Sequence, residues 1–117
     1  MTSSELDFLQ GTLDVLVLRA LSWEPMHGYA IARFIRQGSR ETFRILDGAL
    51  YTSLHRMEEK GWVESEWGIS DKGKRAKFYV MTTAGRRALK NEASTWDRYV
   101  QAVAGVMSAK PAPETAT

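Results

Sequence analysis

DGALYTSLHRMEEKGWVESEWGISDKGKRAKFYVMTTAG, residues 47–85, holds the pattern that decides the fold. Asp47 is a good helix N-cap, because its carboxylate can accept bonds from first-turn amides. Gly61 is a good closing residue, because it tolerates left-handed geometry. Between them Leu50, Leu54 and Met57 recur at spacings of four and three, the buried stripe of a helix. The period then changes. Trp62 to Ser70 alternates around Val63, Ser65, Trp67 and Ile69, and Ala76 to Thr82 is rich in aromatic and β-branched residues. The hydrophilic turn Asp71-Lys72-Gly73-Lys74-Arg75 joins these runs, so the helix is followed by a β-hairpin with a basic tip.

Upstream, Leu13, Leu16, Val17, Ala20 and Leu21 follow the i, i+3, i+4, i+7, i+8 rule and predict a helix from about Asp7 to Trp23. Glu24-Pro25 stops it, since the residue before proline avoids helical ψ. A second helix fits Gly28 to Gln37, burying Ile31, Phe34 and Ile35, with Gly38 as its left-handed closing residue. Thr42 to Ile45 alternates and reads as a very short strand. Downstream, Thr83-Ala84-Gly85 leads into a long helix ending near Met107. Its apolar positions Leu89, Ala93, Trp96, Val100, Val103 and Met107 are spaced 4, 3, 4, 3 and 4. That is an a/d seam, which suits a partner helix better than a broad core face.

The expected class is therefore mainly α with a small β-sheet: a winged helix-turn-helix over residues 6–83, a dimerisation helix over 84–108 and a disordered tail over 109–117. A chain of 117 residues suits this single small domain. No cysteine is present, which excludes disulfides, thiol chemistry and Cys-ligated metals. The start MTSSELDF lacks the pattern of an export signal, and no apolar run is long enough to span a bilayer. A cytoplasmic protein with no membrane partner is expected.

Net charge is only +2, but it is unevenly placed. Asp71 to Lys90 carries seven bases (Lys72, Lys74, Arg75, Lys77, Arg86, Arg87, Lys90) against one acid, a local excess of six. A concentrated positive field points to a polyanion, against the plainer reading of a solvated face. The order helix, helix, short strand, helix, hairpin supplies the geometry for double-stranded DNA, because a helix fits the major groove. The buried stripe of the third helix leaves Ala49, Thr52, Ser53 and Arg56 expected outward, with Tyr51 and His55 flanking. Lys72, Lys74, Arg75 and Lys77 of the hairpin are placed for phosphates or the minor groove.

These segments carry a resemblance. Leu9 to Leu13 (LQGTL), His27 to Ile31 (HGYAI), Gly48 to Glu58, Gly61 to Val63 and Arg75 to Gly85 are similar, in order and with the right gaps, to PadR-type transcriptional regulators. The match runs over roughly residues 6 to 108. The resemblance implies a homodimeric bacterial repressor of the short subfamily with one C-terminal dimerisation helix. Members of that subfamily often control efflux or stress genes, and their ligands include aromatic compounds. Thr52 departs from the pattern, since the family usually has Pro after the Leu-Tyr pair.

Several residues have two readings. Gly28 permits a tight helix start whose amides, at Gly28 and Tyr29, suit a phosphate; His27 beside it serves either that site or the packing alone. Tyr51 is either a core aromatic or a phosphate contact through its hydroxyl. Arg56 suits a phosphate or guanine, or pairs with Glu58 or Glu59. Trp96 is a seam residue that packs, or one of a pair flanking a flat slot for a planar aromatic ligand. With two histidines and no Cys, no metal site is expected, nor is any cofactor or catalytic residue. The rival to DNA binding is a winged-helix module that docks another protein, and the basic hairpin argues against it.

Overall fold

The computed structural model describes residues 11–112. The expected start of the first helix at Asp7 and the end of the tail, residues 113–117, lie outside them. The first helix, α1 (Thr12–Leu21), buries Thr12, Leu13, Asp14, Val15, Val17, Leu18, Ala20 and Leu21. Its sequence predicts one apolar stripe, yet the helix is wrapped on nearly all sides. Ser22 ends it, with the Oγ donating to the Arg19 carbonyl at 2.6 Å, three residues before the proline.

A short strand does exist, but at a different place from the one expected. β1 (Met26–His27) pairs antiparallel with β3 (Arg75–Met81), which also pairs with β2 (Val63–Ile69), giving the sheet order β1-β3-β2. Register sets Met26 opposite Tyr79, and Val63 opposite Met81. Thr42 to Ile45 forms no strand. The Phe43 amide instead donates to Ser39 Oγ at 3.0 Å, while Phe43 and Ile45 pack against the core. Alternation in that segment reflects one side chain in, one out, without a strand partner.

The second helix, α2 (Gly28–Gly38), runs one residue beyond the expected end, and Gly38 is helical. The left-handed turn falls on Arg40 (φ 53°) and Glu41 (φ 65°), which are not glycines. The Glu41 amide bonds back to the Arg36 carbonyl at 2.8 Å, and its carboxylate meets the Arg36 guanidinium at 3.5 Å. These contacts offset the steric cost of positive φ. In α3 (Asp47–Glu59) the N-cap is Leu46, without a side-chain cap; Asp47 lies in the first turn, where its charge opposes the positive end of the helix dipole. Gly61 closes α3 as expected. Its φ is 77°, and Trp62 and Gly61 donate to the carbonyls of Met57 (2.9 Å) and Glu58 (3.0 Å), the paired bonds of a Schellman motif.

Leu18, Ile31, Leu50, Leu54, Met57 and Val63 fill the centre of the core. The last helix, α4 (Thr83–Ser108), is pinned at its start. Thr82 Oγ1 accepts from the Gly85 amide at 3.0 Å and donates to the Gly61 carbonyl at 2.6 Å. Gly85 itself is pressed so close to the Trp62 carbonyl that a Cβ there would overlap it. Ala88 and Leu89 reach the core, but from Lys90 onward every described residue is exposed. The 26-residue helix thus projects and stretches the molecule to 68 Å along its longest axis. After Ser108 the chain is exposed and non-helical through Ala112.

Candidate nucleic-acid interface

The outward face of α3 is rotated from the one read in the sequence. Ser53 is fully buried, whereas Thr52, His55 and Arg56 are exposed and Tyr51 is 41% exposed. At 100° per residue, Gly48, Thr52, His55 and Glu59 fall in one row opposite the core, with Tyr51 and Arg56 on its two flanks. Ser53 is therefore not available to a base edge. The cause is Asp14, a buried acid on α1. Its Oδ1 accepts from Ser53 Oγ at 2.5 Å, and Arg56 donates from both Nε (3.0 Å to Oδ2) and Nη2. Arg56 thus pairs with Asp14, and not with Glu58 or Glu59. This hydrogen bond, more than the attraction of the charge, raises the guanidinium pKa further. Sequence reading misses Asp14. The available signal is a carboxylate inside an otherwise apolar run, which must find a partner.

On the other flank, the Tyr51 ring lies over the start of α2. A Cβ at Gly28 would sit 2.5 Å from the Tyr51 hydroxyl oxygen, so only glycine admits this approach. The small residue expected for a tight helix start is therefore needed for α3 as well. His27 caps α2, its Nδ1 accepting from the Ala30 amide at 3.2 Å, while Phe78 meets its ring edge-on at 5.3 Å. That bond fixes the ring as a structural group and occupies one first-turn amide. Tyr29 points to solvent, with the Arg33 guanidinium 5.5 Å and the Lys72 ammonium 5.7 Å from its ring centre.

Lys72 therefore brings the hairpin tip to the start of α2. A groove of about 240 Å³ runs there between His27, Tyr29, Arg33, Lys72 and Lys74. Lys72, Lys74 and Arg75 are exposed; Lys77 is half-buried, 5.9 Å from the Tyr79 ring. Arg75 stacks over Trp67 at 4.4 Å, a cation–π contact that stiffens the hairpin. Trp67 lies mid-strand and 60% exposed, a residue whose alternation alone suggests burial. Glu64 and Glu66 are exposed on β2, Glu64 near the hairpin base opposite Val80 and Glu66 at mid-strand opposite Phe78.

The seam residues of α4 divide. Leu89 packs on the core of its own chain, whereas Ala93, Trp96, Val100, Val103 and Met107 are exposed. Trp96 stacks on Tyr99 with ring centres 5.7 Å apart and 23° between planes. Both rings line a groove of about 350 Å³ with Gly11, Thr12, Val15, Glu92 and Thr95, between α4 and the start of α1. Within one chain, the wall facing Trp96 and Tyr99 across this groove comes from the start of α1. Thr12 brings to it a buried hydroxyl with no hydrogen-bond partner among the described residues.

Three helices, a three-stranded antiparallel sheet and a basic hairpin beside an exposed third helix define a winged helix-turn-helix regulator with an added C-terminal helix. Residues 17–91 match the model of the transcriptional regulator PadR-like family, and the chain belongs to that family. It is a transcriptional regulator, not an enzyme. It is 29% identical over 102 residues to a transcriptional regulator of Mycobacterium tuberculosis, covering 87% of this chain and 92% of that one. An uncharacterised protein of Lysinibacillus sphaericus is 33% identical over 91 residues, 77% of this chain and 83% of its own. A PadR family transcriptional regulator of Eggerthella lenta superposes with a TM-score of 0.71 at 30% identity, covering 86% of each chain. No helix among the described residues is long and apolar enough to cross a membrane.

Proposed function

We propose that the protein is a homodimeric, sequence-specific repressor that binds a pseudo-palindromic operator in double-stranded DNA. The observation that carries this reading is the continuous surface made by the outer row of α3, the start of α2 and the hairpin tip. Tyr51 lies against Gly28, and Lys72 sits by Tyr29. On this reading Thr52, His55 and the Tyr51 hydroxyl meet the major groove. Lys72, Lys74, Arg75 and Lys77 take phosphates, as do the backbone amides at Gly28 and Tyr29. Lone apolar residues on a surface mean little, but Trp96, Val100, Val103 and Met107 form one exposed face along α4. Burial of that face against a second copy supports the dimer, whose two heads then meet half-sites about 34 Å apart, or a multiple of that distance.

Release by a planar aromatic ligand is part of the same proposal. The stacked Trp96–Tyr99 pair offers a flat apolar wall, and Glu92 adds an acid at the groove that favours a cationic ring. Such a ligand shifts the angle between the heads only by its difference in affinity for the two arrangements. The test is an anisotropy titration against DNA from upstream of its own coding region at two salt concentrations. Binding that weakens steeply with salt is the expected result, and no binding in dilute buffer would overturn the reading.

A further inference from the structure

Arg56 reaches the protein surface already held. Asp14 lies in α1 with its side chain 12% exposed, and Arg56, in the last turn of α3, keeps 45% of its side chain in solvent. The carboxylate takes the Nε and Nη2 edge of the guanidinium, and Ser53 holds the same carboxylate from inside. A guanidinium has five N–H donors, arranged as a side fork (Nε and Nη2) and an end fork (Nη1 and Nη2). With the side fork occupied, the end fork retains a hydrogen on Nη2 and both on Nη1. Two parallel donors of this kind match O6 and N7 of guanine. An unheld arginine on a helix flank would instead turn freely to nearby phosphates, which carry no sequence information.

We propose that Asp14 is a positioning residue for DNA readout: by gripping Arg56 from the side, it aims the end fork at a guanine edge and withholds it from the phosphate backbone. The inference rests on the DNA-binding reading above. A pair serving only to join α1 to α3 would do so equally well with both partners enclosed. Here the acid is enclosed and the base is presented. Thr52, one helical turn away, and His55 stand beside it on the exposed face.

The experiment measures the ratio of affinities for two duplexes, one enriched from a random library by the wild-type protein and one scrambled. This ratio cancels any loss of folded protein, so damage to stability alone leaves it unchanged. Asp14→Asn keeps the shape and the oxygen that Ser53 donates to, but it removes the charge and sets an amide N–H against Arg56 Nε, which breaks the two-point grip on the guanidinium. The expected result is a ratio lowered about tenfold, as for loss of one bidentate base contact. Binding to the scrambled duplex is retained or tightened, and its log–log salt slope steepens by about 0.9 as the freed Arg56 neutralises one more phosphate. Arg56→Lys, which keeps the charge and loses the fork, lowers the ratio similarly, and the double variant falls no further than either single one. An unchanged ratio in either variant, or additive losses in the double variant, would overturn the proposal. Failure of the wild-type protein to enrich any sequence would overturn the DNA-binding reading and this inference with it.

Discussion

At the scale of single residues, close packing at two glycines sets how neighbouring elements meet, Gly28 beneath Tyr51 of α3 and Gly85 beneath the Trp62 carbonyl. Gly28→Ala places a methyl group against the Tyr51 hydroxyl and forces the ring off the start of α2. Because the displaced atom ends an exposed side chain, stability falls by only about 1 kcal/mol, at the low end for overpacking. DNA affinity should suffer more than the melting temperature, which parallel melts and titrations would reveal. Gly85→Ala is the contrasting case. Its methyl group meets the Trp62 carbonyl, backbone that cannot swing away, so α4 must shift. A loss of about 3 kcal/mol or more in denaturant unfolding is expected. A loss below about 1 kcal/mol, under the usual range for overpacking, would mean that the start of α4 is loosely held.

Tyr79 gives a pH dependence at the same scale. Burial, then the charge of Glu58 and then Tyr51, raise its pKa above the ordinary tyrosine value. The native state thus holds the phenolic proton more tightly than the unfolded chain does. This contribution to stability is complete below the unfolded value of about 10 and is lost as pH climbs through the raised one. Melts of the wild type should decline across this range more steeply than those of Tyr79→Phe. Identical slopes would remove Tyr79 as the cause.

At the scale of elements, legibility follows the local signals. The α3 closure at Gly61, the hairpin and the long α4 each have a marker in adjacent residues: a left-handed glycine, a change of period, a regular seam. The short strand has none, because Met26–His27 is a strand only by virtue of β3 beside it. A two-residue strand has no period to read. Sequence favours Gly38 for the turn after α2, as the residue that bends most easily, but side-chain and backbone bonds to Glu41 carry the bend at Arg40 and Glu41. The outer row of α3 differs from its sequence reading for a related reason. Leu50, Leu54 and Met57 fix the buried direction only broadly, and Asp14, 39 residues from Ser53, draws that edge of the helix inward. Polar partners distant in sequence leave no periodic trace. The hairpin, by contrast, can be tested as a unit. Charge reversal at Lys72, Lys74 and Arg75 should weaken DNA binding by orders of magnitude and flatten its salt dependence, roughly 0.9 in slope for each phosphate left unneutralised. Undiminished binding would assign the tip to some other partner.

At the scale of the whole molecule, the free end of α4 poses a physical problem for a single chain. Val100, Val103, Val106 and Met107 lie together on a projecting helix, with exposures from 42% to 80%. A helix that makes few contacts with the core gains its stability from whatever covers its apolar side. A second copy supplies the same seam, and two-fold symmetry lets each residue serve both partners. Replacing Val103 with Lys puts a charge in the middle of that face without touching α3 or the hairpin. Sedimentation at micromolar concentration should show a dimer for the wild type and a monomer for this variant. The variant's affinity for a single half-site duplex should stay near that of the wild type, while affinity for the full operator drops by far more, since the second head no longer binds at high effective concentration. Equal losses on both duplexes would mean that the substitution damages the reading head itself. A wild-type monomer that still binds the full operator tightly would remove the need for paired heads altogether.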